Sequence, residues 1–290
     1  LDIKGDQNIS YSIGEFKKAD FDRFARVVKL KPREISLEQA KSIALSFDTG
    51  EPQETGIGKY VWVFANQRLE VFLSQGVLYY QSNDPVFGTR LVRDPAAAVT
   101  VAQRFLKVHN LLFDLNVVQT EPVTTRDNIF YVKSDKDQKG YRVIFGRQVD
   151  DKKVVTPNAP LPGIDGSAEI VVGFDGKIKE IMYNSPGEIT TESSLYPIIS
   201  LDKAKGELKK GNAKLTGVTV DGIDYFEAVP AEIGEVLINS FDLIYLDRGS
   251  ERKGDFLEPH YQFRGIAKLA DAKDAEVLFY LNAIESKYLK

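Results

Sequence analysis

Tyr196-Pro197-Ile198-Ile199-Ser200-Leu201-Asp202-Lys203-Ala204-Lys205-Gly206-Glu207-Leu208 reads as the end of an extended segment, a cap and a short helix. Ser200 is placed to accept a backbone N–H bond from the first turn. Leu201, Ala204 and Leu208 fall on one face at helical spacing. The same wording stands earlier as Ser36-Leu37-Glu38-Gln39-Ala40-Lys41, where Ser36 and Gln39 make a capping box. A third version, Asp94-Pro95-Ala96-Ala97-Ala98, has an acidic cap and proline at the first helical position. Helices are therefore expected over 36–48, 94–112 and 200–210. Each is followed by residues that read as strands. The expected fold class is α+β, built from repeated units of a helix packed on an antiparallel sheet.

Working outward, Tyr60, Trp62 and Phe64 alternate with Val61, Val63 and Ala65, and Leu69, Val71 and Leu73 alternate next. With Val77 to Tyr80 they predict a three-stranded meander over 59–82. Tyr141, Val143 and Phe145 form one face of a later strand. Ala168 to Val172 and Ile178 to Tyr183 are expected to pair through Asp175-Gly176, a hairpin signal. Asp150-Asp151-Lys152-Lys153 reads as a charged hairpin tip. Phe16, Phe21, Phe24 and Val28 are spaced as an amphipathic turn or two. The apolar pattern is interrupted near 120–128, which predicts two domains, 1–126 and 127–290.

At 290 residues, with 43% hydrophobic and 28% charged residues, the composition is that of a soluble globular protein. The 13 tyrosines and 17 phenylalanines, against one tryptophan and one methionine, suit aromatic-rich sheets. A net charge of −4 argues against nucleic-acid partners, which call for a basic face. The absence of cysteine excludes disulfides, thiol catalysis and cysteine-held metals. No apolar run approaches the roughly 20 residues that span a bilayer. The chain begins at Leu1 rather than Met, so a signal or anchor upstream is expected to have been removed.

Chemical motifs are sparse. G-x-S-x-G, H-E-x-x-H, the P-loop and G-x-G-x-x-G are all missing. Only two histidines exist. His109 lies on the apolar stripe of the second helix, which predicts a structural role. Glu258 and His260 are the best local acid/base or metal pair, yet a metal site needs three or four converging ligands. Ser134-Asp135-Lys136-Asp137-Gln138-Lys139-Gly140 has a lysine where a calcium loop needs oxygen, so it reads as a solvated turn. No cofactor and no metal are expected. Carboxylate-only hydrolysis leaves no sequence signature, so a carboxylate-dependent cell-envelope hydrolase stays open as the alternative.

The second half carries features in a particular order. They are Tyr141-Arg142-Val143-Ile144-Phe145-Gly146, Glu169-Ile170-Val171-Val172, Phe174-Asp175-Gly176-Lys177-Ile178 and Tyr196 to Ala204. Phe241-Asp242-Leu243-Ile244-Tyr245-Leu246, Leu257 to Gly265 and Phe279 to Ile284 follow. In that order the chain resembles the YycH/YycI-type extracytoplasmic two-component regulators, related to PepSY-like domains. The resemblance implies an exported, non-enzymatic protein that binds a membrane-associated protein and modulates a sensor kinase or another envelope protein. It also implies a tether in an N-terminal segment that this chain lacks, the only expected membrane contact.

The expected protein-binding surface lies on the C-terminal unit. Arg248, Arg252 and Lys253 supply cations in a loop, with Glu258, Tyr261 and Arg264 beside them. Tyr245, Phe256, Tyr261 and Phe263 supply aromatics. Aromatics and arginine are enriched where interfaces carry most energy. The competing reading places these aromatics in the core, because strand alternation buries every second residue.

Overall fold

Strand, not helix, carries most of the chain. The computed structural model describes residues 9–14, 23–31, 33–84, 91–126, 130–133, 136–155, 167–220, 223–225, 233–247, 256–270 and 273–289. Numbered in chain order, the first elements are β1 (Ser10–Ile13), β2 (Phe24–Lys31), α1 (Leu37–Leu45), β3 (Gln53–Gly56), β4 (Lys59–Phe64), β5 (Gln67–Phe72) and β6 (Val77–Ser82). Then come α2 (Pro95–Val108), β7 (Asn116–Arg126), β8 (Phe130–Lys133), β9 (Gly140–Val149), β10 (Lys152–Val155), β11 (Ala168–Gly173), β12 (Ile178–Asn184) and β13 (Glu188–Pro197). The last are α3 (Leu201–Lys209), β14 (Lys214–Val220), β15 (Ile223–Tyr225), β16 (Ile233–Leu246), β17 (Phe256–Leu269), β18 (Asp274–Asn282) and a 3-10 turn, Ser286–Tyr288.

The three caps work as the residues predict. Ser36 Oγ accepts from the Gln39 amide at 3.1 Å, and an Asp94 carboxylate oxygen accepts from the Ala97 amide at 2.8 Å. Ser200 Oγ accepts from the Lys203 amide at 3.3 Å. Each bond satisfies a donor that the helix itself leaves orphaned.

The repeated helix-on-sheet architecture expected from those caps is overturned. Hydrogen bonds link the strands into one large mixed sheet with two arms. The first arm runs β3-β4-β5-β6-β12-β11-β9-β7-β8, all antiparallel. Both α1 and α2 cover one face of this arm, over Trp62, Leu69, Phe145, Ile170 and Ile181. The second arm runs β15-β14-β18-β17-β16, and α3 packs with it over Ile238, Phe263 and Phe279. The sheet is mixed because β1 and β10 both lie parallel against the outer edge of β16. A cap and an apolar stripe fix where a helix forms, but they do not say which strands it covers. Here the strand before α1 belongs to the other arm: β2 pairs with the start of β17 on one side and with β13 on the other.

Pairing also runs across residues 126–127, since β7 bonds to β8 and β9. Phe24 and Val28, spaced as if helical, lie on β2. Its alternation hides Val28 and Leu30 in a small cluster with Val149, Val154, Tyr245 and Leu257. Phe16 and Phe21 lie outside the described residues. The meander over 59–82 forms as read. Asp150 and Asp151 both have positive φ, 51° and 60°, and close the two-residue β9–β10 hairpin.

Candidate functional site

Four places bring chemistry-bearing groups together. On β17, alternation puts Glu258, His260, Gln262 and Arg264 on one face and Tyr261 and Phe263 on the other. His260 Nδ1 meets the backbone oxygen of Glu258 at 3.1 Å, not its carboxylate, which accepts from the Asn282 side-chain Nδ2 at 3.2 Å. Arg264 donates to Gln262 Oε1 at 3.0 Å, and Gln262 donates to the Tyr280 hydroxyl at 3.1 Å. Among the described residues no three His, Asp or Glu side chains converge to hold a metal ion.

Tyr261 is 1% exposed and packs among Leu243, Phe263 and Phe279. Its hydroxyl donates to the Ile199 carbonyl at 2.7 Å, and burial pushes its pKa up to about 12. This is a core residue that ties β17 to the segment entering α3. Replacing Tyr261 with Phe leaves a buried carbonyl without its donor. Urea denaturation should register a loss of about 1 kcal/mol.

The second place joins the C-terminal ends of α1 and α2. His109 Nε2 lies 2.9 Å from Ser46 Oγ, and the Gln39 side chain donates to the His109 carbonyl at 2.6 Å. A serine beside an imidazole suggests a nucleophile and its base. The far side of the ring argues otherwise. Ser46 Oγ also reaches the Ser42 carbonyl at 3.3 Å, and His109 Nδ1 is buried without a hydrogen-bond partner among the described residues. No third group among them orients the imidazole as a nucleophile's base requires. The pair staples two helices, in keeping with the structural role read from the sequence. Burial lowers the His109 pKa below its ordinary value. A histidine depressed in the fold binds a proton more readily once unfolded. Its stabilisation is thus complete above the unfolded pKa, near 6.5, and is lost as pH falls toward the folded value. Stability measured from pH 7.5 to 5 should fall in that window, and His109→Gln should flatten the slope.

The third place is the face of the first arm turned away from its helices. The Arg142 guanidinium lies 3.3 Å from Glu121 and 3.6 Å from Glu169, all three nearly buried. Burial raises the Glu180 pKa, while Arg142 pulls it the other way. Glu121 and Glu169 share one guanidinium across adjacent strands, as in a structural ion-pair network.

The fourth place is a corner of the second arm, built on β2, β13 and the start of β17. Leu195 is 62% exposed, Phe24 50% and Phe256 47%. Tyr288, also exposed, stands edge-on to Tyr196 at 6.1 Å. They stand on both faces of one short sheet: Phe24 and Leu195 share the face of Arg26, whereas Phe256, opposite Lys29, and Tyr196, opposite Ala25, stand on the other. Leu195 faces Arg26 in the register, and Phe24 faces Pro197. Arg26 donates to both carboxylate oxygens of Asp150 at the β9–β10 tip, which holds the Asp150 carboxyl below its usual range. Tyr245 donates to the same carboxylate.

The corner also has a backbone edge. Among the described residues, β13 pairs only with β2. Pro197 turns its carbonyl away from β2, to the Glu285 amide at 3.2 Å, and the Ile198 amide turns back to Arg23 at 3.1 Å. By alternation Leu195 and Ser193 direct their N–H and C=O groups outward. The edge is guarded at both ends. Glu188, Glu192 and a bulge between Ile189 and Ser193 guard one, and the Ile198–Ile284 bridge closes the other.

Of the residues the sequence selects for protein binding, Arg248, Arg252 and Lys253 lie outside the described residues. The chain leaves at Asp247 and returns at Phe256, on the corner. Glu258 sits two residues further along, on the face opposite Tyr261. Sequence reading missed Phe24 and Leu195. The stretch Glu188-Ile189-Thr190-Thr191-Glu192-Ser193-Ser194-Leu195 has no apolar alternation, so nothing marks it as a strand or Leu195 as its outward residue.

No family model matches this chain, and no curated protein matches it. Nine chains among solved structures do. One is described as an uncharacterized protein from Eubacterium rectale ATCC 33656, with a TM-score of 0.51 and 14% identity over 90% of this chain and 85% of that one. At that identity the likeness shows the fold alone, and it extends over both arms.

Proposed function

We propose that this chain is a non-catalytic binding module that works outside the cytoplasm, tethered to the membrane and acting on a membrane-associated protein. The observation that carries the reading is the corner, where Phe24 and Leu195 stay exposed on one face beside outward-turned backbone at Ser193 and Leu195. Exposed apolar side chains next to an open, guarded edge suit an extended segment of a partner protein. The edge supplies backbone bonds and the apolar side chains supply selectivity. The order of features shared with YycH/YycI-type regulators points the same way and makes a sensor kinase the first partner to test. The hydrolase alternative draws on Glu121, Glu169 and Glu180, of which two are engaged with Arg142.

The test is calorimetric titration of this chain with the purified extracytoplasmic domains of the sensor kinases from the same organism. One domain should bind. Leu195→Asp and Phe24→Asp should each weaken it at least tenfold, because a charge then enters the desolvated contact. Both side chains are solvent-facing, so thermal unfolding should move little. Folded variants that bind as the wild type does would remove the corner from the interface.

A further inference from the structure

We infer that the two arms are hinged bodies, held closed by a buried latch in which Arg147 of β9 grips Asp247 at the end of β16. This rests on how little joins the arms, not on the identity of any partner. Among the described residues the one strand pairing between them is β10 with β16. It spans two residue pairs, Val154 with Tyr245 and Val155 with Leu246. Two small apolar clusters seal that joint, Val28, Leu30, Val149, Val154, Tyr245 and Leu257 on one side and Val155 with Ile244, Leu246, Leu278 and Tyr280 on the other. Both are separate from the main core of either arm, and Arg26 and Tyr245 bond Asp150 beside them. A joint this small between two large cores favours relative motion.

The chain crosses between the arms twice in its described part, after β2 and after β12. Both crossings run past Gly76. The Ser185 amide donates to the Gly76 carbonyl at 2.8 Å, and the Arg33 carbonyl lies where a Cβ on Gly76 would stand. Two crossings side by side define one strip about which the arms can turn. The latch sits beside it. Arg147 Nη2 reaches Asp247 Oδ2 at 3.2 Å, Nη1 donates to the Gly187 carbonyl at 2.6 Å, and the Asp247 amide donates to Val155 at 2.8 Å. One guanidinium thus binds the first arm, the second arm and the second crossing. Its burial beside Asp247 leaves it no water to fall back on, so the closed state is distinct rather than graded.

The test uses spin labels, which the absence of native cysteine makes simple. Gln103→Cys on α2 and Lys209→Cys on α3 place one label on each arm, both at exposed positions. The otherwise wild-type protein should give one narrow distance distribution. Adding Arg147→Met together with Asp247→Leu removes the latch without stranding a charge, and should add a second, longer population. An unchanged single distribution in the folded double variant would overturn the inference. Should that variant fail to fold, native-state hydrogen exchange on the wild type decides. The Asp247 and Ser185 amides should exchange through a shared opening at least a hundredfold more frequent than that of Ile170 and Phe263. Exchange of all four through one global unfolding would equally overturn it.

Discussion

Gly76→Ala is expected to cost about 4 kcal/mol, near the upper end for a single substitution. Gly76 has φ of +65°, a left-handed conformation that strains any residue bearing a Cβ. The added carbon would also stand 2.4 Å from the Arg33 carbonyl and 2.6 Å from the Ser185 Cβ. Neither can retreat cheaply, because one is backbone and the other belongs to a segment fixed by its bond to Gly76. Gly58 is the internal control. Its φ is +71°, but its Cβ would meet nothing within 4 Å. Gly58→Ala should therefore cost only the conformational strain, about 1 kcal/mol. Urea denaturation of the two variants separates strain from collision. Equal losses would show that Gly76 is not pressed between the crossings.

Arg147→Met should cost about 3–5 kcal/mol, the penalty for breaking a buried ion pair by removing one member. Asp247 is 2% exposed, so solvent cannot take over the role of the guanidinium. Adding Asp247→Leu should recover most of that loss, since a buried pair replaced by apolar groups is often close to neutral. Arg26→Met gives the contrast. Arg26 also binds a carboxylate through two bonds, but its side chain is 46% exposed and Asp150 is 33% exposed. Water and salt screen such a pair, and its loss should cost under about 1 kcal/mol. The Arg147 and Asp247 substitutions form a double-mutant cycle in chemical denaturation. Additive losses would mean that the two side chains act separately.

The helices were legible because a cap is local. Ser36, Asp94 and Ser200 each act within four residues, and the sequence shows both partners. The β4–β5–β6 meander was legible for the same reason. The arms were not, because their pairings are remote. Nothing near Phe24 announces that β2 pairs with β13 about 170 residues later, or that β6 pairs with β12 across α2. Helical spacing at Phe24 and Val28 and strand spacing at Val28 and Leu30 coexist in one stretch, and tertiary pairing decides between them. The proposed site was half legible. Aromatic residues near β17 could be named, but alternation could not say which face was core. Tyr261 and Phe263 turned inward, while Phe256 stayed out beyond the reach of β16.

The proposed binding corner is tested most directly by hydrogen exchange on the complex with the sensor-kinase domain that binds. Leu195 and Ser193 turn their amides away from β2, so an added strand should slow both at least tenfold while leaving the α1 and α2 surfaces unchanged. Protection confined to the helices of the first arm, with Leu195 and Ser193 exchanging as in the free protein, would contradict the account.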